Sequence, residues 1–373
     1  MKTRKPVLFS AMTLFAALAI MVQTSAQSQT ITSDASAKRK IITFNVPGAG
    51  KGSGQGTYGN QINFWGEIMG NYIDSKNESH GFLRAPNGNI TTFDPTGSTN
   101  TFALGLNLEG AITGNCSDSN GVYHSFLRTP DGTITSFDDP EAGTGASQGT
   151  EADEINDFGV IAGSYVDSNN QTHGFVRNPK GGTFTNFDPK GSVYTLPVGS
   201  GINDFGSIAG GYRDSSGVYH GFLRAGDGTI TPFDVKGAGT GSGQGTLPAG
   251  INNLDMIAGA YLDSDGVYHG FLRAPHGKIT TFNVPGAGKG ANQGAIPEDI
   301  NDLGVIPGNY IDSNNVNHAF VRNPDGKIIT FNVPGAGTGS GQGTTPFAIN
   351  LAGAITGYDI DSSGVSHGFL RKP

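Results

Sequence analysis

Aspartate, histidine and arginine recur together seven times in this sequence, and they are the residue types most able to do chemistry. In each repeat the histidine follows the aspartate by six residues, and the arginine follows the histidine by four. An Asp–His pair can move a proton or bind a metal ion. A chain rarely needs one active site seven times, so we expect a structural hydrogen-bond network in each repeat and no catalytic or metal site. The positions are Asp74, His80 and Arg84; Asp118, His124 and Arg128; Asp167, His173 and Arg177; Asp214, His220 and Arg224; Asp263, His269 and Arg273; Asp312, His318 and Arg322; and Asp361, His367 and Arg371.

The segments that carry these residues are predicted to be short strands. Successive repeats lie 44–49 residues apart, with N-D-x-G, D-S-x-G and P-D-G turn signals between strand-like segments. Repeats of this length built from four antiparallel strands are typical of propeller blades. The sequence therefore predicts an all-β protein, a seven-bladed β-propeller with four antiparallel strands per blade. The predicted blades are 58–94, 102–138, 150–188, 195–234, 246–283, 295–332, and 345–371 plus 41–45.

The two ends of the repeat region complement each other. The seventh repeat stops after its third strand, and Ile41–Asn45 matches Ile328–Asn332 residue for residue. We expect this N-terminal strand to close the last blade and to cover a sheet edge that would otherwise promote aggregation. An open β-solenoid is the alternative, but it leaves the extra strand unexplained.

The repeat resembles a named family. The H-[GA]-F tripeptide, a preceding G-x-Y-x-D-S strand and a following I-T-x-F-[DN] segment are similar to the HAF-repeat family of probable extracellular bacterial proteins. His318-Ala319-Phe320 is the literal tripeptide, five copies have Gly in the middle, and one has Ser. The resemblance covers nearly the whole repeat region and implies export, but no activity or ligand.

The N-terminus predicts secretion to the periplasm or the extracellular space. Residues 1–26 combine a basic start, an apolar stretch and small residues at a cleavage position, as in a signal peptide. Residues 27–40 read as a polar spacer and 41–373 as one propeller domain. Loss of three cations on cleavage takes the net charge from −8 to −11, which disfavours nucleic acid as a partner. No later segment is long and apolar enough to span a membrane, and Cys116 is the single cysteine.

The turns and connections predict no cofactor. Asp263-Ser264-Asp265-Gly266 is the most acidic D-S-x-G turn, but a calcium loop needs more converging oxygens. Five long Gly-rich connections begin at Pro47, Pro140, Lys236, Pro285 and Pro334. Their G-x-G-x-x-G matches do not lead from a strand into a helix, so no dinucleotide site is expected. These connections crowd one face, where they serve either as spacers or as a binding surface.

Breaks in the repeat are better candidates for function. Blade 3 has Glu151, Asp153 and Glu154, and blade 6 has Glu298 and Asp299, where other blades carry small, amide or apolar residues. We expect these carboxylates to begin the innermost strand and to rim the channel. They could be solvated acids, they could form an acidic mouth for cations or hydroxyl-rich ligands, or they could include a catalytic pair. Trp65 and His276 read as isolated surface side chains in or near turns.

Three functions are compatible with this sequence. The favoured one is a secreted, monomeric, non-enzymatic scaffold that binds a carbohydrate or an extracellular protein through the Gly-rich loop face. The second is an extracellular lyase or hydrolase acting at the channel mouth, which rests on fold analogy alone. The third is a structural component of an envelope or matrix.

Overall fold

The computed structural model describes residues 40–373. The predicted signal peptide and residues 27–39 of the predicted spacer lie outside the described residues. Every regular element within the described range is a β-strand, so the fold is all-β. Over the same range, no helix is present that is long and apolar enough to cross a membrane.

Twenty-eight strands follow one another with short turns or loops between them. The strands are β1 (Ile41–Phe44), β2 (Gly56–Ile62), β3 (Ile68–Ile73), β4 (Ser79–Arg84), β5 (Ile90–Phe93), β6 (Asn100–Leu106), β7 (Ile112–Ser117), β8 (Tyr123–Arg128), β9 (Ile134–Phe137), β10 (Gly149–Ile155), β11 (Ile161–Val166), β12 (Thr172–Arg177), β13 (Phe184–Phe187), β14 (Ser192–Ile202), β15 (Ile208–Asp214), β16 (Tyr219–Arg224), β17 (Ile230–Phe233), β18 (Gly245–Ile251), β19 (Ile257–Leu262), β20 (Tyr268–Arg273), β21 (Ile279–Phe282), β22 (Gly294–Pro297), β23 (Ile306–Ile311), β24 (Asn317–Arg322), β25 (Ile328–Phe331), β26 (Gly343–Ile349), β27 (Ile355–Ile360) and β28 (Ser366–Arg371).

Hydrogen bonding groups the strands into antiparallel sets of four, which we call units. Units 1 to 6 run in chain order from β2–β5 to β22–β25, and unit 7 consists of β26, β27, β28 and β1. Strand β1 pairs antiparallel with β28, with Ile41 opposite Arg371 and Phe44 opposite Gly368. The N-terminal strand therefore lies beside the last strand of the chain, at the position for which the sequence match predicts it.

Neighbouring units meet where the third strand of one contacts the first strand of the next. Tyr219 pairs in parallel with Gly245, and Ser366 of unit 7 pairs in the same way with Gly56 of unit 1. A Cβ at Gly245 would collide with the carbonyl oxygen of Tyr219, and its φ of 126° also favours glycine. This close backbone approach explains the glycine that starts most first strands.

The core lies between the units. The phenylalanine two residues after each repeated histidine is fully buried, as is the isoleucine that begins each second strand. These side chains pack with residues of the adjacent unit; for example, Phe271 and Ile257 pack with Ala209 and Phe233 of the preceding unit. Burial of an aromatic ring in each gap supplies most of the hydrophobic driving force between units. The fully buried residues are Phe82, Phe126, Phe175, Phe222, Phe271, Phe320 and Phe369, and Ile68, Ile112, Ile161, Ile208, Ile257, Ile306 and Ile355.

The first strand of several units is bulged, and this affects the candidate carboxylates. In β10 the register shifts between Ala152 and Glu154, which leaves Asp153 as the extra residue. A bulge turns a side chain away from its normal direction. Glu154 precedes the last residue of β10, and Glu298 and Asp299 follow β22. The prediction that these acids begin the first strand is therefore wrong for Glu154, Glu298 and Asp299: the strands begin at Gly149 and Gly294, Glu154 is the last but one residue of β10, and Glu298 and Asp299 lie just beyond β22.

Candidate functional site

The repeated aspartate shapes the turn between the second and third strands. Oδ1 of Asp214 accepts hydrogen bonds from the backbone N–H groups of Ser216 and Val218, both at 2.9 Å. Backbone donation, mainly from Val218, holds the pKa of this carboxyl below its usual value. Equivalent pairs of backbone hydrogen bonds recur at Asp74, Asp118, Asp167, Asp263, Asp312 and Asp361. The aspartate is thus a turn-forming residue in every unit.

The repeated histidine joins this turn to the fourth strand. Nδ1 of His220 lies 3.0 Å from the Asp234 carboxylate, Nε2 lies 3.6 Å from Asp214, and the ring stacks on Tyr212 with centroids 5.0 Å apart. All seven histidines have an Asp or Asn 2.7–3.1 Å from Nδ1. These partners are Asp94, Asp138, Asp188, Asp234, Asn283, Asn332 and Asn45. Seven nearly identical contacts of this kind hold the units together internally.

The repeated arginine makes a different contact, across the gap between units. The guanidinium of Arg224 lies over the ring of Phe187 in the preceding unit, 5.0 Å from its centroid, and donates to the Ala225 carbonyl at 3.4 Å. The other six arginines lie over the equivalent ring, at 4.2–5.1 Å, and Arg84 uses Phe44 of β1. Such a contact is worth about 0.5–2 kcal/mol. The structure therefore places the repeated Asp and His in one set of contacts and the Arg in another.

Two units lack the tyrosine that stacks on the histidine. Unit 2 has Cys116, which is buried, and burial raises the pKa of its thiol to about 11, so the thiol stays protonated at neutral pH. Unit 7 has Asp359, which is 2% exposed and pairs with His367 in the strand register. Burial raises the pKa of Asp359 to about 6, and its Oδ1 accepts no hydrogen bond from the described residues. Asp359 is thus a buried and incompletely hydrogen-bonded substitution in an otherwise regular repeat.

Among residues 40–373, one group of side chains comes close enough to share an ion. Asp74, Glu78 and His80 place one ligand-type atom each within 4.8 Å of one another. Oδ1 of Asp74 already accepts two turn N–H groups, from Lys76 and Glu78, and Glu78 is exposed. These contacts are explained by the turn itself.

The Gly-rich connections are held against the neighbouring turns by hydrogen bonds. In the first of them, Gln55 accepts a hydrogen bond from the Gly52 N–H at 2.8 Å and donates to Asn77 at 2.9 Å. A Cβ at Gly50 would collide with the Gln55 amide. The same glutamine recurs at Gln148, Gln244, Gln293 and Gln342. The glycines thus let each connection pack against the neighbouring turn.

Three residues around unit 3 depart from the repeat. Asp139 stands where the other four long connections have valine, and Glu141 stands where they have glycine. Asn186 pairs with Phe175, a register at which the other units have Thr, Ser or Pro. The equivalent residues are Val46, Val235, Val284 and Val333; Gly48, Gly237, Gly286 and Gly335; and Thr43, Thr92, Ser136, Pro232, Thr281 and Thr330.

The fold brings these three side chains together around Tyr165. The Tyr165 hydroxyl donates to Glu141 at 2.9 Å, and the Asn186 amide donates to Asp139 and to the Tyr165 oxygen, both at 3.4 Å. Burial raises the pKa of Asp139, which is 3% exposed. Asp139 Oδ2 and Asn186 Oδ1 are buried and have no hydrogen-bond partner among the described residues. The cluster therefore retains unused hydrogen-bonding capacity.

Glu141, Tyr165 and Asn186 of this cluster line a pocket of about 470 Å³, which we call the unit-3 pocket, and Asp139 contacts Asn186 from outside the lining. The connection that follows unit 3 is short, and His173 and Asp188 of this unit lie in the pocket wall. A smaller pocket of about 190 Å³ surrounds His80 of unit 1, which is also followed by a short connection. Among the described residues that line the unit-3 pocket, none is Lys or Arg. They are Glu141, Tyr165, Asp167, Ser168, His173, Asn186, Phe187 and Asp188.

A ring of asparagines runs through the turns between first and second strands. Each donates from Nδ2 to the backbone carbonyl of the equivalent asparagine in the next unit, at 3.0–3.3 Å, and Asn350 of unit 7 donates to Asn63 of unit 1. The sequence reasoning missed these residues, although an Asn that follows Ile in six repeats and Leu in the other was a usable signal. The ring consists of Asn63, Asn107, Asn156, Asn203, Asn252, Asn301 and Asn350.

The ends of the seven first strands surround one cavity of about 220 Å³, which we call the turn-face mouth. Acids follow the ring asparagines in units 3, 4 and 6, as Asp157, Asp204 and Asp302, and Asn253 stands there in unit 5. The Asp157 N–H donates to Asp204 at 3.0 Å, and the Asn253 amide donates to Asp204 and Asp302 at 2.9 and 3.2 Å. Burial, followed by the charges of Asp204 and Asp302, raises the pKa of Asp157.

Of the five acids singled out from the sequence, three lie in β10 and two follow β22. Glu154 accepts a hydrogen bond from Gln61 of unit 1 at 2.9 Å, and Asp299 accepts the N–H groups of Ile300 and Ile349 at 2.7 and 2.9 Å; both line the turn-face mouth. The other three have raised pKa values. Burial raises that of Glu151, raises that of Asp153 well above its usual range, and raises that of Glu298 to about 8.

No family model matches this chain, and no curated protein sequence matches it. Among solved structures, puromycin hydrolase matches with a TM-score of 0.53 at 9% identity, over 83% of this chain and 50% of that one. A mutant of that hydrolase complexed with PGG gives 0.54 at 9% identity, with the same coverage. A lectin from Burkholderia pseudomallei gives 0.49 at 11% identity, over 85% of this chain and 97% of that one. The chain spans about half the length of the hydrolase, and the likeness shows a propeller-like all-β fold and no more.

Proposed function

We propose that this protein is a secreted, monomeric, seven-bladed β-propeller of the HAF-repeat type, which binds a carbohydrate in the unit-3 pocket without catalysing a reaction. The seven units are its blades, and β1 completes the last blade. Export is proposed from the signal-like residues 1–26 and from the family resemblance.

Contacts that return from unit 7 to unit 1 support the closed ring. The asparagine ring passes from Asn350 to Asn63, Ser366 pairs with Gly56, and Arg84 lies over Phe44 of β1. Each is the same contact that joins the other neighbouring units. An open solenoid would leave the first and last units without these partners.

The observation that carries the binding proposal is the convergence of Asp139, Glu141 and Asn186. Each replaces a residue that other repeats keep, and the three are linked through the Tyr165 hydroxyl. Burial of a carboxylate such as Asp139 is costly, and a purely structural unit would do better with the valine found elsewhere. Asp139 holds Asn186, and Asn186 and Glu141 line the pocket; unusual polar groups that converge on a pocket in this way are typical of a binding site.

The chemistry of the pocket favours a neutral, hydroxyl-rich ligand. The carboxylates of Glu141, Asp167 and Asp188 accept hydrogen bonds from sugar hydroxyls, and Phe187 offers an apolar edge to a sugar ring. The absence of Lys and Arg from the described lining disfavours phosphate, sulfate and nucleic acid. The pocket lies on the side of the Gly-rich connections, because Glu141 belongs to one of them.

A second candidate function is acid catalysis at the inner strands. Glu298 is partly buried, and its pKa of about 8 keeps its carboxyl protonated at neutral pH, as a general acid requires. Loss of turnover of a polysaccharide substrate in Glu298→Gln, with normal folding, would favour this function over the scaffold.

The test of the scaffold proposal is to restore the repeat residues. In Asp139→Val/Glu141→Gly/Asn186→Thr the pocket loses its unusual groups and gains residues that the fold already accepts in other units. The parent protein should bind a restricted set of saccharides on a glycan array, and the triple variant should lose them while melting at the same or a higher temperature. Thr281→Asn, at the position of unit 5 that corresponds to Asn186, is the matched control. Undiminished glycan binding by the triple variant would overturn the proposal.

A further inference from the structure

The turns between first and second strands, which we call the turn face, expose large apolar side chains. Of the eight large hydrophobic residues that are exposed within the described range, six lie in these turns. Trp65, Phe158, Phe205, Leu254 and Leu303 occupy the same turn position in five units and are 57–74% exposed. Phe64 precedes Trp65, and the two rings lie 5.1 Å apart. An exposed apolar set of this kind on a soluble domain marks an interaction site.

The apolar side chains surround the acidic turn-face mouth. Asp157, Asp204 and Asp302 lie at the turn position immediately before the apolar one, and Glu154 and Asp299 lie deeper in the same cavity. Among the described residues that line this mouth, none is Lys or Arg. The surface thus has an anionic centre within an apolar rim.

The turns that carry this surface are rigid. Asn156 accepts hydrogen bonds from the Phe158 and Val160 N–H groups at 3.1 and 2.9 Å, while its amide donates to the next unit. The same pattern in other units holds Phe205 and Leu254. Binding of a partner here therefore costs little conformational entropy on the side of this protein.

We propose that the turn face binds a protein partner that presents a lysine or arginine flanked by apolar side chains. The cation enters the turn-face mouth beside Asp204 and Asp302, and the flanking side chains cover Trp65, Phe158 and Phe205. The acidic centre rules out nucleic acids and anionic surfaces as occupants. This surface lies at the opposite ends of the strands from the unit-3 pocket, so the proposal does not depend on the carbohydrate proposal.

Trp65 provides the test, because it is the single tryptophan of the chain. The full-length secreted protein is titrated with the peptide Gly-Leu-Lys-Leu-Gly, and Trp65 fluorescence is followed. We expect a saturable change that weakens as salt is added. In Asp204→Asn/Asp302→Asn the dissociation constant should rise about tenfold, the scale expected when charges at an interface are removed. Asparagine is tolerated there, since Asn253 holds that position in unit 5.

Three controls decide the outcome. The peptide with Glu in place of Lys should fail to saturate, Phe158→Ser/Phe205→Ser should weaken binding, and Glu141→Gly should leave it unchanged. Equal binding of both peptides, or unchanged affinity in the Asn variants, would overturn the proposal. It would also be overturned if sedimentation showed self-association of the parent that Phe158→Ser/Phe205→Ser abolished, because the occupant would then be a second copy of the chain.

Discussion

Asp359 links the burial of one side chain to the pH dependence of stability. Tyrosine stacks on the histidine at this place in five units, but Asp359 is 2% exposed, and its Oδ1 has no hydrogen-bond partner among the described residues. Its pKa rises from 3.8 to about 6, chiefly because burial disfavours the charged form. Asp359→Asn removes the ionisation while keeping the size of the side chain.

The expected gain follows from the difference between the folded and unfolded pKa values. That difference is about 2 units, and each unit is worth about 1.4 kcal/mol, so ionisation costs the folded state about 3 kcal/mol. Because the folded state holds the proton more tightly, the free energy of unfolding falls as pH rises from about 4 to about 6. Asp359→Asn should therefore raise the free energy of unfolding by about 3 kcal/mol above pH 6 and change it little below pH 4.

Urea unfolding of parent and variant, followed by circular dichroism across this pH range, measures the effect. Asp214→Asn is the matched control with the opposite sign. The pKa of Asp214 is lowered by backbone N–H donation, so that variant should be less stable than the parent at neutral pH, and the difference should shrink as the pH falls through the folded pKa because the parent loses stability there. A gain from Asp359→Asn that is the same at every pH, or that is missing above pH 6, would refute the reasoning.

Three further outcomes are expected. Glu298→Gln should gain stability relative to the parent as pH rises to about 8, because the folded pKa of Glu298 is about 8; a gain that levels off near pH 6 in urea titrations would contradict this. His220→Ala and His173→Ala should each cost about 1 kcal/mol of unfolding free energy, but only the second should weaken saccharide binding in calorimetry, since only His173 lines the unit-3 pocket. Deletion of residues 41–45 should expose β28 as a sheet edge and cause aggregation; a monomeric elution profile with unchanged melting would argue against closure by β1.

The regular part of the fold could be read from the sequence because it repeats. Turn signals and a constant spacing located the strands, and the match of Ile41–Asn45 to Ile328–Asn332 located β1 beside β28. The partners of the repeated arginine could not be read in this way. Because Arg224 shares a strand face with Phe222, its burial could be predicted. Its aromatic partner could not, since Phe187 belongs to the preceding unit.

The candidate sites depend on residues that are distant in sequence. Asp139 and Glu141 precede Asn186 by more than 40 residues. The pairing of β12 with β13 positions Asn186, while the connection held to Thr150 and Val166 positions Asp139 and Glu141. Trp65 was predicted to be an isolated surface side chain, because only the fold shows that Phe158 and Phe205 occupy the same turn position in other units. The acids of β10 and β22 were found from the repeat, but their place along the strand was not, since the strand ends were unknown.

The central claim is that specific binding occurs in unit 3, where the repeat is broken, and is not repeated at the Asp–His pairs of the other six units. The most direct test is a crystal structure of the protein soaked with the saccharide that it prefers on the array. We predict a ligand in the unit-3 pocket, with hydrogen bonds to Glu141 or Asn186, and no ligand at the equivalent places of the other six units. A ligand repeated beside all seven histidines, or bound away from unit 3, would contradict it.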